Sequence, residues 1–198
     1  ARFIIPALPI LVLLAARVLL VAISRLPLPG QAKNYVLATA VVAILLQPAC
    51  SIIRHDYLLT REDTRTMAKD WIEENIPPGA KIIMEPYTPE LSEEMYDLTI
   101  EGTMGLPSHS VDYYRKEHFD YVIVSSFCYD RTLLDKEKDK ARRSFYRSLD
   151  AEADLIKVFK PYSGQTKPPF IFDQIYGPAT ALWRLERPGP VIKIYKLR

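Results

Sequence analysis

The first 55 residues contain no aspartate or glutamate, and they hold two long apolar runs. From Phe3 to Ile23 the chain reads FIIPALPILVLLAARVLLVAI, broken only by Pro6, Pro9 and Arg17. From Val36 to Ile53 it reads VLATAVVAILLQPACSII, interrupted by Thr39, Gln47, Pro48 and Ser51. An α-helix rises about 1.5 Å per residue, so roughly 20 apolar residues span the hydrocarbon core of a bilayer. The 21 residues of the first run reach that length and the 18 of the second approach it. Residues 24–35, SRLPLPGQAKNY, carry Pro27, Pro29 and Gly30, which end one helix and turn the chain back. The sequence therefore predicts a transmembrane hairpin over residues 1–55. A buried helical pair in a soluble core is the competing reading, but the remaining residues build a core of their own. A secretory signal peptide fits poorly, because the first run is too long and a second run follows it. The chain starts at Ala1, at the edge of a spanning helix, and is expected to be the C-terminal piece of a longer protein.

Whole-chain averages hide this division. The 198 residues are 48% hydrophobic and 25% charged with a net charge of +2, and the mean hydropathy is −0.04. All 24 acids lie at or beyond Asp56, so residues 1–55 carry +5 and residues 56–198 carry −3. Neither half has the charge that nucleic-acid binding through a general basic field requires. Two cysteines cannot staple a chain of this size, which excludes a disulfide scaffold. Arg25 and Lys33 in the short loop, with Arg17 close enough to snorkel toward it, place that loop in the cytoplasm. Residues 56–198 are then extracytoplasmic. Arg2, Arg54 and His55 at the other face oppose this count by a narrow margin. Arg2 itself is suited to anchoring on headgroups or to meeting an anionic phosphate at the surface.

Beyond Asp56 helical and strand patterns alternate. Thr60 and Asp63 form an acidic capping box for a helix with Met67, Ala68, Trp71 and Ile72 on one face, stopped by Pro77, Pro78 and Gly79. If Trp71 anchors the core, truncation to alanine costs about 3–5 kcal/mol. A strand follows at 81–84, then a weakly patterned stretch with a short helix at 91–98. Next come a helix at 110–117, a strand at 121–125 whose YVIV suits burial on both faces, and a helix at 133–149. Strands at 154–159 and 191–197 close the chain. The last alternates between a wet and a dry face, which predicts an edge position. Together these predict a small open α/β sheet covered by helices.

Chemistry is sparse. No phosphate-cradling loop, HExxH, CxxC or GxSxG is present, and His55, His109 and His118 lack metal-ligand spacing. No catalytic residue, metal site or cofactor is assigned to this chain. Ligands in open α/β sheets gather beyond the carboxyl ends of strands. That nominates Glu85 and Tyr87 after one strand, and Ser125, Ser126, Tyr129 and Arg131 after another, although ordinary capping and turning is the simpler explanation of such residues. The charged run at 135–143 reads as a solvated helix face. The 12 tyrosines are of a type that stacks on sugars, but ordinary α/β packing explains most of them.

Three segments resemble a known family. The opening ARFIIPALPILVLLAA is similar to the RYxLPxxPxLxLLAA segment near the end of the membrane portion of bacterial glycosyltransferases of the protein mannosyltransferase and aminoarabinose transferase type, with Phe3 where Tyr is commoner. Asp63-Thr64-Arg65, Ala68, Trp71-Ile72, Asn75-Ile76-Pro77, Gly79 and Ile83 are similar to the start of their extracytoplasmic domain. Arg187-Pro188-Gly189-Pro190, Ile192, Ile194-Tyr195 and Leu197 are similar to its end. The resemblance implies a multi-spanning cell-membrane enzyme that takes a sugar from a polyprenyl-phosphate donor and delivers it on the outer face. It also implies a catalytic acid in the first outer loop, ahead of this chain, so that a missing N-terminal transmembrane core is a partner alongside membrane lipid and the donor. Arg2 would lie near the donor phosphate. The alternatives are a non-enzymatic, membrane-anchored α/β binding or scaffolding domain and a self-contained hydrolase, the last disfavoured because no nucleophile, base and orienting group can be named together.

Overall fold

Proline and glycine decide where the first helices begin and stop. The computed structural model describes residues 5–102, 105–134, 140–164, 166–168 and 182–198, and the chain divides into two units, Ala1–Asp56 and Tyr57–Arg198. In the first, a single 3-10 turn at Ile5–Ala7 leads into α1, Leu8–Ser24, with proline in its first turn, where a missing N–H costs least. α2 is Gly30–Leu59 and contains Pro48. It is long and apolar enough to cross a membrane; α1 is apolar but shorter. The turn between them is only residues 25–29, because helix begins at Gly30 rather than Val36. The Lys33 N–H bonds the Pro29 carbonyl, and its ammonium donates to the Ser24 carbonyl at 2.7 Å, satisfying an end group of α1. Most apolar side chains of both helices face outward, with Leu13 71%, Val18 68% and Ile53 69% exposed, while Ile23 and Leu58 are buried.

The second unit opens on a clasp. Thr60 closes α2 by donating to the Tyr57 carbonyl. It is Asp63, not Thr60, that caps α3, Thr64–Asn75, by accepting from the Arg65 N–H. The reason is that α2 runs on to Leu59 and uses Thr60 for its own exit. Burial alone would push the Asp63 carboxyl up, but the hydrogen bonds and charge of Arg65 outweigh it and hold the group below the usual range. Thr64 then reaches the far end of the chain. Its N–H bonds the Pro188 carbonyl at 3.1 Å and its hydroxyl donates to the Pro190 carbonyl at 2.6 Å. Gly189, at φ 100°, lies so close that an added Cβ would collide with the Thr64 hydroxyl and the Asp63 carboxylate.

A mixed five-stranded sheet forms the centre, in the order β2-β1-β3-β5-β4. The strands are β1 Lys81–Met84, β2 Asp97–Ile100, β3 Tyr121–Ser125, β4 Asp154–Phe159 and β5 Ile192–Lys196. β2, β1 and β3 run parallel; β5 is antiparallel to both β3 and β4. Side chains alternate across the sheet into two cores. Ile82, Met84, Ile123, Ile192 and Ile194 join Ala68 and Ile72 of α3 on one side. Ile83, Val122, Val124 and Tyr195 join residues of α4, Val111–Lys116, and α6, Lys140–Glu152, on the other.

Three expectations change. β5 is not an edge: β4 pairs outside it, and Ile192, Ile194 and Tyr195 are all buried, while Lys193 extends its ammonium to Asp150 and the Tyr195 hydroxyl. The helix expected at 91–98 is a turn at Ser92, where Met95 and Tyr96 both donate to its carbonyl, running into edge strand β2. The helix expected at 133–149 is met at both its ends, by α5, Ser126–Leu134, which starts directly after β3, and by α6, which extends to Glu152; residues 135–139 lie outside the described ones. Trp71 is half-buried against Phe159, while Ile72 takes the central place.

Gly189→Ala is expected to lower unfolding free energy by about 2 kcal/mol or more, through collision and a left-handed backbone. Gly102→Ala, with open space around it, should change stability by less than about 0.5 kcal/mol. Chemical denaturation of the two variants checks the pair.

Candidate functional site at the carboxyl end of the sheet

Parallel strands β1 and β3 end side by side, and the chain leaves both as polar residues. After Met84, the backbone N–H of Glu85 still bonds the Ile123 carbonyl, continuing the ladder by one step. The side chain continues it further: Glu85 Oε2 accepts from the Ser125 N–H at 2.9 Å, a donor that would otherwise end unpaired in the interior. The other oxygen, Oε1, accepts from the Tyr146 hydroxyl of α6. Glu85 is 1% exposed. One carboxyl thus joins the ends of two strands to a helix.

The electrostatics follow from that burial. Desolvation pushes the Glu85 carboxyl up to about 7, and the two hydrogen bonds pull against it without prevailing. Tyrosines surround it. Tyr146 is pushed far above the usual phenol range by burial and by the negative charge and hydrogen bond of Glu85. Tyr129 and Tyr195 are pushed up by burial first, then by neighbouring carboxylates. Asp130, also buried, is pushed up by desolvation although it pairs with Lys167. The ammonium groups of Lys167 and Lys193 lie 5.2 Å and 5.4 Å from the Tyr129 ring centre.

Tyr87 has a different setting. It occupies the turn after β1 at φ 65°, a left-handed conformation that costs a non-glycine residue energy and often marks working sites. Thr88 braces that turn by donating to the Glu85 carbonyl at 2.6 Å. The Tyr87 ring is 48% exposed and meets the Phe127 ring edge-on at 5.8 Å. Glu85 and Tyr87 therefore share a turn but divide its roles: the carboxyl is interior and positions the sheet end, and the phenol ring is the part that solvent reaches.

The other nominated residues also have structural partners. Ser126 bonds Val191 reciprocally, its N–H to the carbonyl and its hydroxyl from the N–H, both at 2.9 Å. Ser125 Oγ accepts from the Phe127 N–H. Tyr129 packs against Tyr146. The Arg131 side chain and Arg2 lie outside the described residues. Cys128 donates to the Pro86 carbonyl at 3.4 Å. Among the described residues no three His, Cys, Asp or Glu side chains gather to hold a metal. Sequence reasoning missed Tyr146, whose only signal was its place beside Phe145 and one turn from Leu149 on the inner face of α6. The chain matches no family model, no curated protein and no solved structure.

The sign of the pH effect follows from the raised value. Below about pH 4.5, folded and unfolded chains both hold the Glu85 proton; between about 4.5 and 7 the unfolded chain releases it while the folded one keeps it. This group therefore draws stability down across that window, by about 3 kcal/mol in total. Glu85→Gln can still accept from Ser125 and donate to Tyr146, and it should flatten stability between pH 5 and 7 in denaturation curves. Tyr146→Phe removes a hydrogen bond that favours the carboxylate and should extend the upper edge of the window to higher pH.

Proposed function

We propose that this chain is the C-terminal portion of an integral-membrane glycosyltransferase that moves a sugar from a polyprenyl-phosphate carrier to an acceptor on the outer face of the cell membrane. The observation that carries this reading is the clasp. Asp63-Thr64-Arg65 and Arg187-Pro188-Gly189-Pro190, two of the segments by which the chain resembles that family, meet through the Thr64 hydrogen bonds although 126 positions separate Thr64 from Pro190. The likeness thus falls on one packed element whose residue types are demanded by contact: a capping acid, a bridging hydroxyl and a glycine without room for a Cβ.

The first unit supports the membrane part of the reading. Its outward apolar side chains and the lack of acids over residues 1–55 suit lipid. The turn at Ile5–Ala7 adds about 6 Å to the roughly 25 Å of α1, giving about the 30 Å of a hydrocarbon core, so α1 and α2 form two spans of a multi-pass protein. Arg25 and Lys33 then face the cytoplasm and residues 56–198 lie outside. The catalytic acid comes from the first outer loop of the complete enzyme, with Arg2 beside the donor phosphate and Tyr87, held by the Glu85 turn, at the domain surface for substrate contact.

Membranes carrying the complete gene product are expected to transfer sugar from a polyprenyl-phosphate donor, and substituting one acid of the first outer loop should abolish transfer. No transfer from such a donor would sink the reading in favour of an anchored binding domain, and full activity after replacement of each such acid would sink the assignment of the catalytic acid. Topology has its own test. In a background with Cys50→Ala and Cys128→Ser, Gly102→Cys should react with a membrane-impermeant maleimide in intact cells, and Leu28→Cys only after permeabilisation. The reverse pattern would overturn the orientation.

A further inference from the structure

A cleft of about 250 Å³ opens between the segment around 107–112 and α6, and neither Glu85 nor Tyr87 lines it. Its volume lies below the roughly 300–1,000 Å³ of sites for drug-sized ligands, so it has room for one small ring. The chemistry of the walls narrows the choice. Ser110, Ser144 and Ser148 bring hydroxyls, each able to donate and accept. Asp112 from α4 and Glu152 from α6 bring carboxylates, and Arg115 holds both: its Nη1 donates to Asp112 Oδ1 at 2.6 Å and to Glu152 Oε2 at 3.1 Å, and its Nη2 to the Glu152 backbone carbonyl at 2.8 Å. Asp112 Oδ2 and Glu152 Oε1 remain as oriented acceptors. One guanidinium between two carboxylates leaves a single negative charge, which repels phosphates and carboxylates and halves the pull on cations. Buried Phe145 supplies an apolar wall. At the rim, the His109 ring is fixed by stacking on Tyr113 at 4.0 Å.

Several paired donors and acceptors, one apolar wall, a small volume and little net charge describe a receptor for a neutral polyhydroxylated ring. We propose that this cleft binds one neutral monosaccharide unit, its C–H face against Phe145 and its hydroxyls on the serines and on the carboxylates that Arg115 orients. That the unit belongs to the acceptor rests on the glycosyltransferase reading; the binding itself does not.

The test uses the full chain in phospholipid nanodiscs, without sugar detergents, and saturation-transfer NMR with methyl glucoside, methyl mannoside and methyl galactoside at about 10 mM, a range suited to weak single-sugar binding. At least one of these should receive saturation, and glucose 6-phosphate should not. Ser148→Leu, which fills the cleft, and Glu152→Gln, which weakens an acceptor, should each reduce the transfer by about tenfold while the folded signature in circular dichroism is kept. If Ser148→Leu does not fold, Glu152→Gln decides alone. No transfer to any neutral sugar, equal transfer to glucose 6-phosphate, or transfer unchanged in the folded variants would overturn the inference. Cleft-dependent binding in a complete protein that transfers no sugar would keep this inference and remove the proposed function. Transferase activity without sugar binding at the cleft would do the opposite.

Discussion

Every residue of β3 is buried, and the rest of the second unit is arranged around that constraint. A strand with no wet face must have cover on both sides and neighbours on both edges. β1 and β5 supply the neighbours; α3 covers one face, and α4 with α6 the other. β5 is drawn inward for the same reason. An alternating strand with lysines would suit an edge, but β3 needs a partner along its second side. Lys193 adapts by carrying its charge out to Asp150 instead of opening the face.

Burial of β3 also explains the chemistry where it ends. Its last N–H, on Ser125, lies too deep for water, and a buried donor without a partner costs about 1–3 kcal/mol. The Glu85 side chain supplies the acceptor because β1 stops one step earlier and delivers it there. Its second oxygen then needs a donor, and Tyr146 on α6 provides one. A titration near neutrality is thus the consequence of closing a parallel sheet with an acid in place of a backbone carbonyl. The strained Tyr87 follows from the same arrangement, since the chain must turn sharply once Glu85 has been directed inward.

The parts legible in the sequence were those set by neighbours along the chain. Apolar runs marked both helices of the first unit, the YVIV run marked β3, and Ser110 was read correctly as the start of α4 because its side chain accepts from Tyr113 three residues on. Misreadings arose where a distant partner overrode local pattern. Asp63 displaced Thr60 as cap once α2 ran on, and Tyr96 was taken from an expected helix to be buried with its hydroxyl reaching the carbonyls of Ile72 and Ile76. Position alone nominated Glu85 and Tyr87 from the carboxyl end of β1. Which of them faces inward could not be read, because alternation ends where the strand does.

By itself the sequence determined that an acid-free, apolar N-terminal segment precedes a mildly acidic α/β portion, since hydropathy and helical or strand periodicity act over a few residues. Only the tertiary structure decided that Thr64 grips Pro188 and Pro190, that Glu85 binds Ser125 and Tyr146 at separations of 40 and 61 residues, and that Arg115 aligns Asp112 with Glu152 across a cleft. These contacts depend on strand order and helix placement, and it is the packing of both faces of β3, rather than any local signal, that sets them.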